Sequence, residues 1–222
     1  MTDAMAEEIA LYTYFRSSAA FRARIALNLK GIAADQRFVH LTREGGAQHA
    51  PAYARVNPQE LVPTLVHDGH AIGQSLAIIE YLDEIAPEPP LLPRTALARA
   101  RVRQLAYAVA CDIHPINNLR VQNYLRRTMH QGEDAVSAWV AHWIGLGFAA
   151  METLLAGASE TGRFCHGDSP SLADICLVPQ MANARRAQML LDAYPTLLRI
   201  ESACLGVRAF ADALPANQPD AE

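Results

Sequence analysis

Ile9-Ala-Leu-Tyr-Thr-Tyr-Phe-Arg-Ser-Ser-Ala-Ala-Phe-Arg-Ala-Arg-Ile-Ala-Leu-Asn-Leu-Lys-Gly31 is the stretch in which the chain changes period, and its reading decides the fold. Residues 9–14 have the β-branched and aromatic character of a strand. Residues 20–30 put Phe21, Ile25 and Leu29 on one helical face, and Gly31 stops that helix. Ser17 and Ser18 lie between the two elements. Outward from this unit, residues 36–40 read as a second strand, 48–55 as a short helix and 64–67 as a third strand. Asp68-Gly69 is a hairpin turn leading into a fourth strand at 70–72, and Ser75 is placed to cap a helix over 76–85. The order β-α-β-α-β-β-α predicts a small mixed sheet covered by helices.

Pro87-Glu-Pro-Pro-Leu-Leu-Pro93 holds four prolines in seven residues and reads as a linker, because proline removes a donor and blocks helix. Beyond it the strand signal disappears. Ala98, Val102, Leu105, Val109 and Ile113 follow helical spacing, and so do Trp139, Trp143, Leu146, Ala150 and Leu154. Ser171-Leu-Ala-Asp174 has the form of a capping box with aspartate in the usual glutamate position. The expected organisation is an α/β domain over residues 9–86, a linker over 87–93 and an all-helical domain over 94–219.

Composition narrows the function classes. The 222 residues are 51% hydrophobic and 19% charged, with 12 Gly and 13 Pro, as in an ordinary globular chain. Nineteen Lys plus Arg against 23 Asp plus Glu leave a net charge of −4 with no long basic run, so nucleic acid is not an expected partner. The most apolar stretch, residues 138–151, includes His142 and falls short of the roughly 20 residues that span a bilayer, so no membrane role is expected. The opening MTDAMAEEIA is acidic where a secretion signal is basic, which points to the cytoplasm. Cys111, Cys165, Cys176 and Cys204 show no metal-like spacing and read as buried or half-buried thiols. His67 and His70 flank the Asp-Gly turn with no third ligand nearby, which reads as a solvated hairpin and no metal site. Arg99, Arg101 and Arg103 alternate along a helix and read as a solvated or interface surface.

Chemistry concentrates in three short segments. A serine pair between a strand and the first turn of a helix sits beside unpaired backbone N–H groups, where an anion, thiolate or phosphate is favoured, although a simple helix cap has the same pattern. Leu61-Val62-Pro63-Thr64 puts a proline directly before a strand, where either a cis peptide or an ordinary trans turn fits. A cis bond turns the Val62 backbone outward to meet an extended peptide. Gln74-Ser75 at the next helix start suits a carboxylate.

Several motifs in order, YFRSS, RIALNLKGI, NPQELVPTL, QSLAIIEYLDE, DIHPINN, SLADICLVPQ and NARRAQ, resemble the cytosolic glutathione transferases over residues 9–219. Within them the chain is most similar to the zeta class, the glutathione-dependent maleylacetoacetate and maleylpyruvate isomerases. The resemblance implies a thioredoxin-like α/β domain followed by an all-α domain, glutathione as cofactor, a small dicarboxylate substrate and a homodimer. It also implies a set of site residues. Ser17 matches the serine that donates to the glutathione sulfur, with Ser18 and Ala19 in the same turn. Gln48, Val62, Gln74 and Ser75 match positions that hold the tripeptide. Asp112, His114, Asn118 and Arg120 fall where bacterial maleylpyruvate isomerases place further glutathione and substrate contacts, and Arg186 matches the arginine for the substrate carboxylate. Arg16, Arg120 and Arg186 supply the guanidinium groups that a dicarboxylate needs, since arginine pairs with carboxylates through two parallel hydrogen bonds.

The chain also departs from the pattern. The zeta Ser-Ser-Cys-Ser-Trp-Arg reads here Ser17-Ser18-Ala19-Ala20-Phe21-Arg22, so no protein thiol stands at that position. Arg185 replaces a residue that is acidic in many zeta sequences, and His114-Pro-Ile-Asn-Asn118 replaces Gln-Pro-Leu-Gln-Asn. Both changes lean towards maleylpyruvate. A general conjugating transferase and a non-catalytic interaction module are the alternative functions.

Overall fold

β1 (Ile9–Thr13) is an inner strand of a four-stranded sheet ordered β2-β1-β3-β4, with β2 at Asp35–Phe38, β3 at Thr64–His67 and β4 at His70–Gly73. The computed structural model describes residues 9–222, so the first eight residues of the acidic opening segment lie outside the described residues. β1 and β2 are parallel, joined by α1 (Ser18–Lys30), because parallel neighbours need a crossover. β1–β3 and β3–β4 are antiparallel, and the Asp68-Gly69 turn closes the second pair. Two short helical turns at Arg43–Gly45 and Ala47–His49 precede α2 (Pro51–Val56), and α3 (Ser75–Ile85) follows β4. This is the expected thioredoxin-like domain, matched strand for strand within two residues.

α1 differs from its expected one-sided burial. Phe21, Arg22, Ala23, Arg24, Ile25, Ala26 and Leu27 are all buried, while Leu29 is only half-buried. The reason lies far along the chain. α10 (Arg208–Asp212) and the residues after it return to pack on α1, so the chain divides into one unit of residues up to Pro89 plus Arg208–Glu222 and a second of Pro90–Val207. The helical domain expected to continue to residue 219 therefore gives up its end to the first unit. Arg24, 3% exposed, donates to Thr13 Oγ1 at 3.1 Å, to the Tyr14 and Phe15 carbonyls at 3.3 and 3.1 Å, and twice to the Ala213 carbonyl. Burial pulls its pKa down to about 10, against the opposing pull of Asp220.

In the second unit, α4 (Ala96–Tyr107) runs into a wider π turn at Ala108–Ile113, then α5 (His114–Asn117) and α6 (Leu119–Arg127). Val102, Leu105, Val109 and Ile113 are buried as their spacing predicts. α7 (Glu133–Ala156) is not oriented as predicted. Val136, Ile144, Phe148, Met151 and Leu155 face inward, leaving Leu146 and Leu154 exposed. A helix apolar on several faces offers periodicity more than one phase, and packing against α9 (Pro195–Leu205) and the π turn selects one. At 24 residues α7 is also long and apolar enough to span a bilayer, so the short apolar stretch used above does not exclude it by length. Val136, Ile144, Phe148, Met151 and Leu155 are the residues it buries against the rest of the helical unit.

α8 (Leu172–Arg186) starts with the predicted capping box. Asp174, fully buried, accepts from Ser171 N–H and Oγ at 2.8 and 2.7 Å and from Cys165 N–H at 2.8 Å. The proline segment stays non-helical, and its Leu91 carbonyl accepts from Leu172 N–H at 2.9 Å. Three surface expectations change. Arg101 is half-buried and donates to the Cys165 carbonyl and to Thr161 Oγ1, both at 2.8 Å. His67 is buried, with Nδ1 2.5 Å from the Tyr81 hydroxyl, although no metal-binding cluster occurs among the described residues. Cys111 is exposed, whereas Cys165, Cys176 and Cys204 are buried.

Candidate active site

The first unit gathers its candidate residues by strand pairing. Tyr12 pairs with Thr64 and Thr64 with Gly73, so the end of β1, the start of β3 and the end of β4 share one end of the sheet. Ser17, Val62 and Gln74-Ser75 leave from that end, and Val62 belongs to an apolar cluster with Tyr14, Phe15, Val39 and Tyr53. Ser17 is the N-cap of α1, its Oγ accepting from Ala20 N–H at 3.2 Å. The cap uses a lone pair and leaves the hydroxyl hydrogen to be donated, so the capping and anion-binding readings are compatible. Ser18 and Ala19 complete the first turn, the serine buried and the alanine half-buried, and Arg16 is exposed with its guanidinium 6.0 Å from the Phe15 ring centroid.

The Val62–Pro63 peptide is cis. Its loop is braced by Tyr53, whose hydroxyl donates to the Leu61 carbonyl at 2.5 Å, and by Asn57, which donates to the same carbonyl at 2.8 Å. Burial pushes the Tyr53 phenol above its ordinary pKa, which keeps it a donor. Val62 lies outside the ladder, so strand pairing does not consume its amide and carbonyl. Gln74 begins α3 with φ 67° as the N-cap, in place of the expected Ser75, which becomes the first helical residue. Arg22 Nη1 donates to Ser75 Oγ at 3.4 Å, and Gln74 Nε2 to Gln59 Oε1 at 2.8 Å. The neighbouring Glu60 carboxylate lies 2.5 Å from His49 Nδ1 and ties the 47–49 turn to this loop. Gln48, expected on a helix, lies in that turn and is 7% exposed, its Nε2 donating to the Leu41 carbonyl at 3.3 Å. Its Oε1 is buried with no partner, an acceptor available to a ligand N–H. Gly46 must lack a side chain for this packing, since a Cβ there would come within 2.4 Å of Gln48 Nε2.

In the second unit, Asp112, His114, Asn118 and Arg120 follow one another through the π turn, α5 and the start of α6. Asp112 and Arg120 are exposed, and His114 and Asn118 are half-buried. Asn118 caps α6, its Oδ1 accepting from Val121 N–H at 3.2 Å. Arg185 and Arg186 end α8 with different partners. Arg185 pairs with the buried Glu201 carboxylate, whose hydrogen bonds hold the guanidinium above its usual pKa. Arg186 is exposed and donates to Asn183 Oδ1.

A model of the glutathione S-transferase N-terminal domain matches residues 11–90. Over 210 residues the chain is 48% identical to a maleylpyruvate isomerase of a Ralstonia species, covering 95% of this chain and 98% of that one. The chain belongs to the zeta-class glutathione S-transferases. A solved maleylpyruvate isomerase described as a bacterial zeta-class transferase superposes with TM-score 0.93 at 47% identity, covering 96% of this chain and all of that one. A maleylacetoacetate isomerase of Methylobacterium extorquens AM1, solved with malonate and glutathione bound, gives 0.92 at 42% identity over 96% of this chain and 99% of its own.

This zeta-class transferase also contains site neighbours that sequence reasoning missed. Asn117 has both side-chain amide atoms buried and without a partner, beside the cap residue Asn118 that motif spacing had singled out. Asp220 Oδ2 accepts from Phe15 N–H at 2.9 Å, and Glu222 lies 2.7 Å from His40 Nε2 and 2.9 Å from Arg43. No local pattern announces contacts between residues some 200 positions apart.

Proposed function

We propose that this transferase is a glutathione-dependent cis–trans isomerase converting maleylpyruvate to fumarylpyruvate, or maleylacetoacetate to fumarylacetoacetate. The observation that carries this reading is the near full-length likeness, at 48% identity, to an enzyme named for the first reaction. Glutathione fits the residues present: the orphaned Gln48 Oε1 takes an N–H of the tripeptide, the Val62 backbone takes its extended chain, and Gln74 with Ser75 takes the γ-glutamyl carboxylate. When bound, glutathione supplies a thiolate that adds reversibly to the alkene beside the carbonyl, permits rotation and leaves unchanged. Ser17 donates its hydroxyl hydrogen to that sulfur, and the first turn of α1, with Ser18 and Ala19, adds its unpaired N–H groups. Arg16, Arg120 and Arg186 hold the substrate carboxylates, and Asp112, His114 and Asn118 contribute contacts from the helical unit. With Ala19 at the usual cysteine position, the cofactor is the only nucleophile this turn requires.

The partners in this reading are a small dicarboxylate and a second copy of the chain, the location is the cytoplasm, and neither membrane nor nucleic acid takes part. An absorbance assay on the purified protein with each substrate, with and without glutathione, tests it. Substrate absorbance falls only with glutathione present while total glutathione stays constant. Consumption of glutathione would identify a conjugating transferase, and failure to bind it would identify an interaction module. Arg186→Lys keeps the charge but loses the planar fork, and is expected to lower kcat/KM for the dicarboxylate by about tenfold. An unchanged value removes Arg186 from carboxylate binding.

A further inference from the structure

We propose that Asp220 is a positioning residue for Ser17, acting through the backbone of Tyr14 and Phe15. The inference rests on the glutathione-dependent reading above, which gives Ser17 its task. Between the end of β1 at Thr13 and the start of α1 at Ser18, the chain reverses through four residues, and Ser17 N–H donates to the Tyr14 carbonyl at 3.0 Å. The Tyr14–Phe15 backbone therefore sets where the Ser17 hydroxyl stands. That backbone belongs to neither the ladder nor the helix, and Phe15 is 7% exposed, so its polar groups need partners from elsewhere.

Both kinds of partner are supplied. Asp220 Oδ2 accepts from Phe15 N–H at 2.9 Å. Arg24 donates to the Tyr14 and Phe15 carbonyls, and the same guanidinium binds the Ala213 carbonyl through Nε and Nη2, joining the turn to the returning segment. Asp220 and Arg24 are opposite charges in a desolvated region, where their attraction is weakly screened. The returning segment is itself shaped to deliver the carboxylate. Buried Gln218 donates to the Asp212 and Leu214 carbonyls at 2.9 and 3.0 Å and accepts at its own carbonyl from Ala221 N–H at 3.0 Å. Two residues beyond Asp220, Glu222 meets His40 and Arg43, just ahead of the Ala47–His49 turn that carries Gln48. The donor of the serine turn is thus held by a carboxylate 205 residues away, and its acceptors by Arg24, which the same returning segment anchors through Ala213.

The test measures the thiol pKa of bound glutathione by thiolate absorbance in full-length protein, with kcat across pH. In the unmodified protein the thiol must bind and titrate below its free value; failure there refutes the glutathione-dependent reading itself. Asp220→Ala then raises the bound thiol pKa by about one unit, so kcat at pH values well below the bound thiol pKa falls about tenfold and recovers at alkaline pH, with KM for glutathione nearly unchanged. Asp220→Asn, whose amide oxygen still accepts from Phe15 N–H, brings the pKa back to the original value or slightly below it. Lost charge alone would shift the pKa the other way, because removing a nearby anion favours the thiolate. If the alanine variant does not fold, Asp220→Ser, whose hydroxyl stops short of Phe15, replaces it with the same expectation. Three outcomes overturn the proposal: an unshifted pKa in the folded alanine or serine variant, an asparagine variant as impaired as alanine, or failure of both truncating variants to fold, which would assign Asp220 to the unit as a whole.

Discussion

Ser17→Ala raises the pKa of the glutathione thiol by one to two units and lowers kcat/KM at pH values well below the bound thiol pKa by about 10- to 100-fold. A free thiol ionises near pH 8.5, and lowering that by two units needs about 2.7 kcal/mol of preference for the anion. A helix N-terminus contributes about 0.3–1 kcal/mol. A hydrogen bond to a charged group contributes about 1.5–3 kcal/mol, so the hydroxyl carries most of the shift. The same oxygen accepts from Ala20 N–H, and losing that cap costs about 1 kcal/mol of stability. Ser17→Asp separates the two roles, because its carboxylate restores the cap while facing the thiolate with like charge. Its melting temperature is expected to stay close to that of the unmodified protein and its thiol pKa to rise at least as far as in the alanine variant. A bound thiol titrating identically in all three proteins would remove Ser17 from thiolate stabilisation.

The second large effect is on folding. Asp174→Ala leaves three buried donors, Cys165 N–H, Ser171 N–H and Ser171 Oγ, without their acceptor. At about 1–3 kcal/mol for each orphaned group, partly relieved by relaxation, the expected loss is about 3–5 kcal/mol, from a total that is typically about 5–15. For a chain of this size that lowers the melting temperature by about 10 °C. Asp174→Asn retains one acceptor oxygen but turns an N–H2 towards donors, and falls between. Desolvation already raises the Asp174 pKa, so the carboxylate is held by its hydrogen bonds against a burial cost. Thermal melts followed by circular dichroism check the order, and an alanine variant within 1 °C of the original would show that the box is dispensable.

What was legible in the sequence was local. A serine cap at 17 or 18, Gly31 as a stop, the Asp68-Gly69 turn and the Ser171–Asp174 box each encode their geometry within a few residues, and each is found in place, the cap at Ser17. Val62-Pro63 was legible as a choice of two isomers and resolved as cis. Two things were not legible. The inward face of α7 was ambiguous because apolar residues occupy more than one face, and only the neighbours that bury Ile144 and Phe148 settle the phase. The clamp from Asp220 and Arg24 was invisible because neither residue has a periodic or capping signature. An acidic residue near the end of a chain looks like solvated surface until the fold brings a bare amide to meet it. The candidate site follows the same division, with Ser17, Gln48, Val62, Gln74 and Ser75 proposed from motifs and the family resemblance, and the hydrogen bonds of Tyr53, Asn57 and Glu60 around them evident only in three dimensions.

The return of Arg208–Glu222 to the first unit also bears on the order in which the protein can become functional during synthesis. Chains fold from the N-terminus as they emerge. The serine turn, made almost first, has to wait for nearly the whole helical unit to be translated before Ala213 and Asp220 reach it. Until then Arg24 has neither its carbonyl at Ala213 nor its counter-charge. In a nascent chain the serine turn therefore stays without these partners until the segment carrying Ala213 and Asp220 has been made.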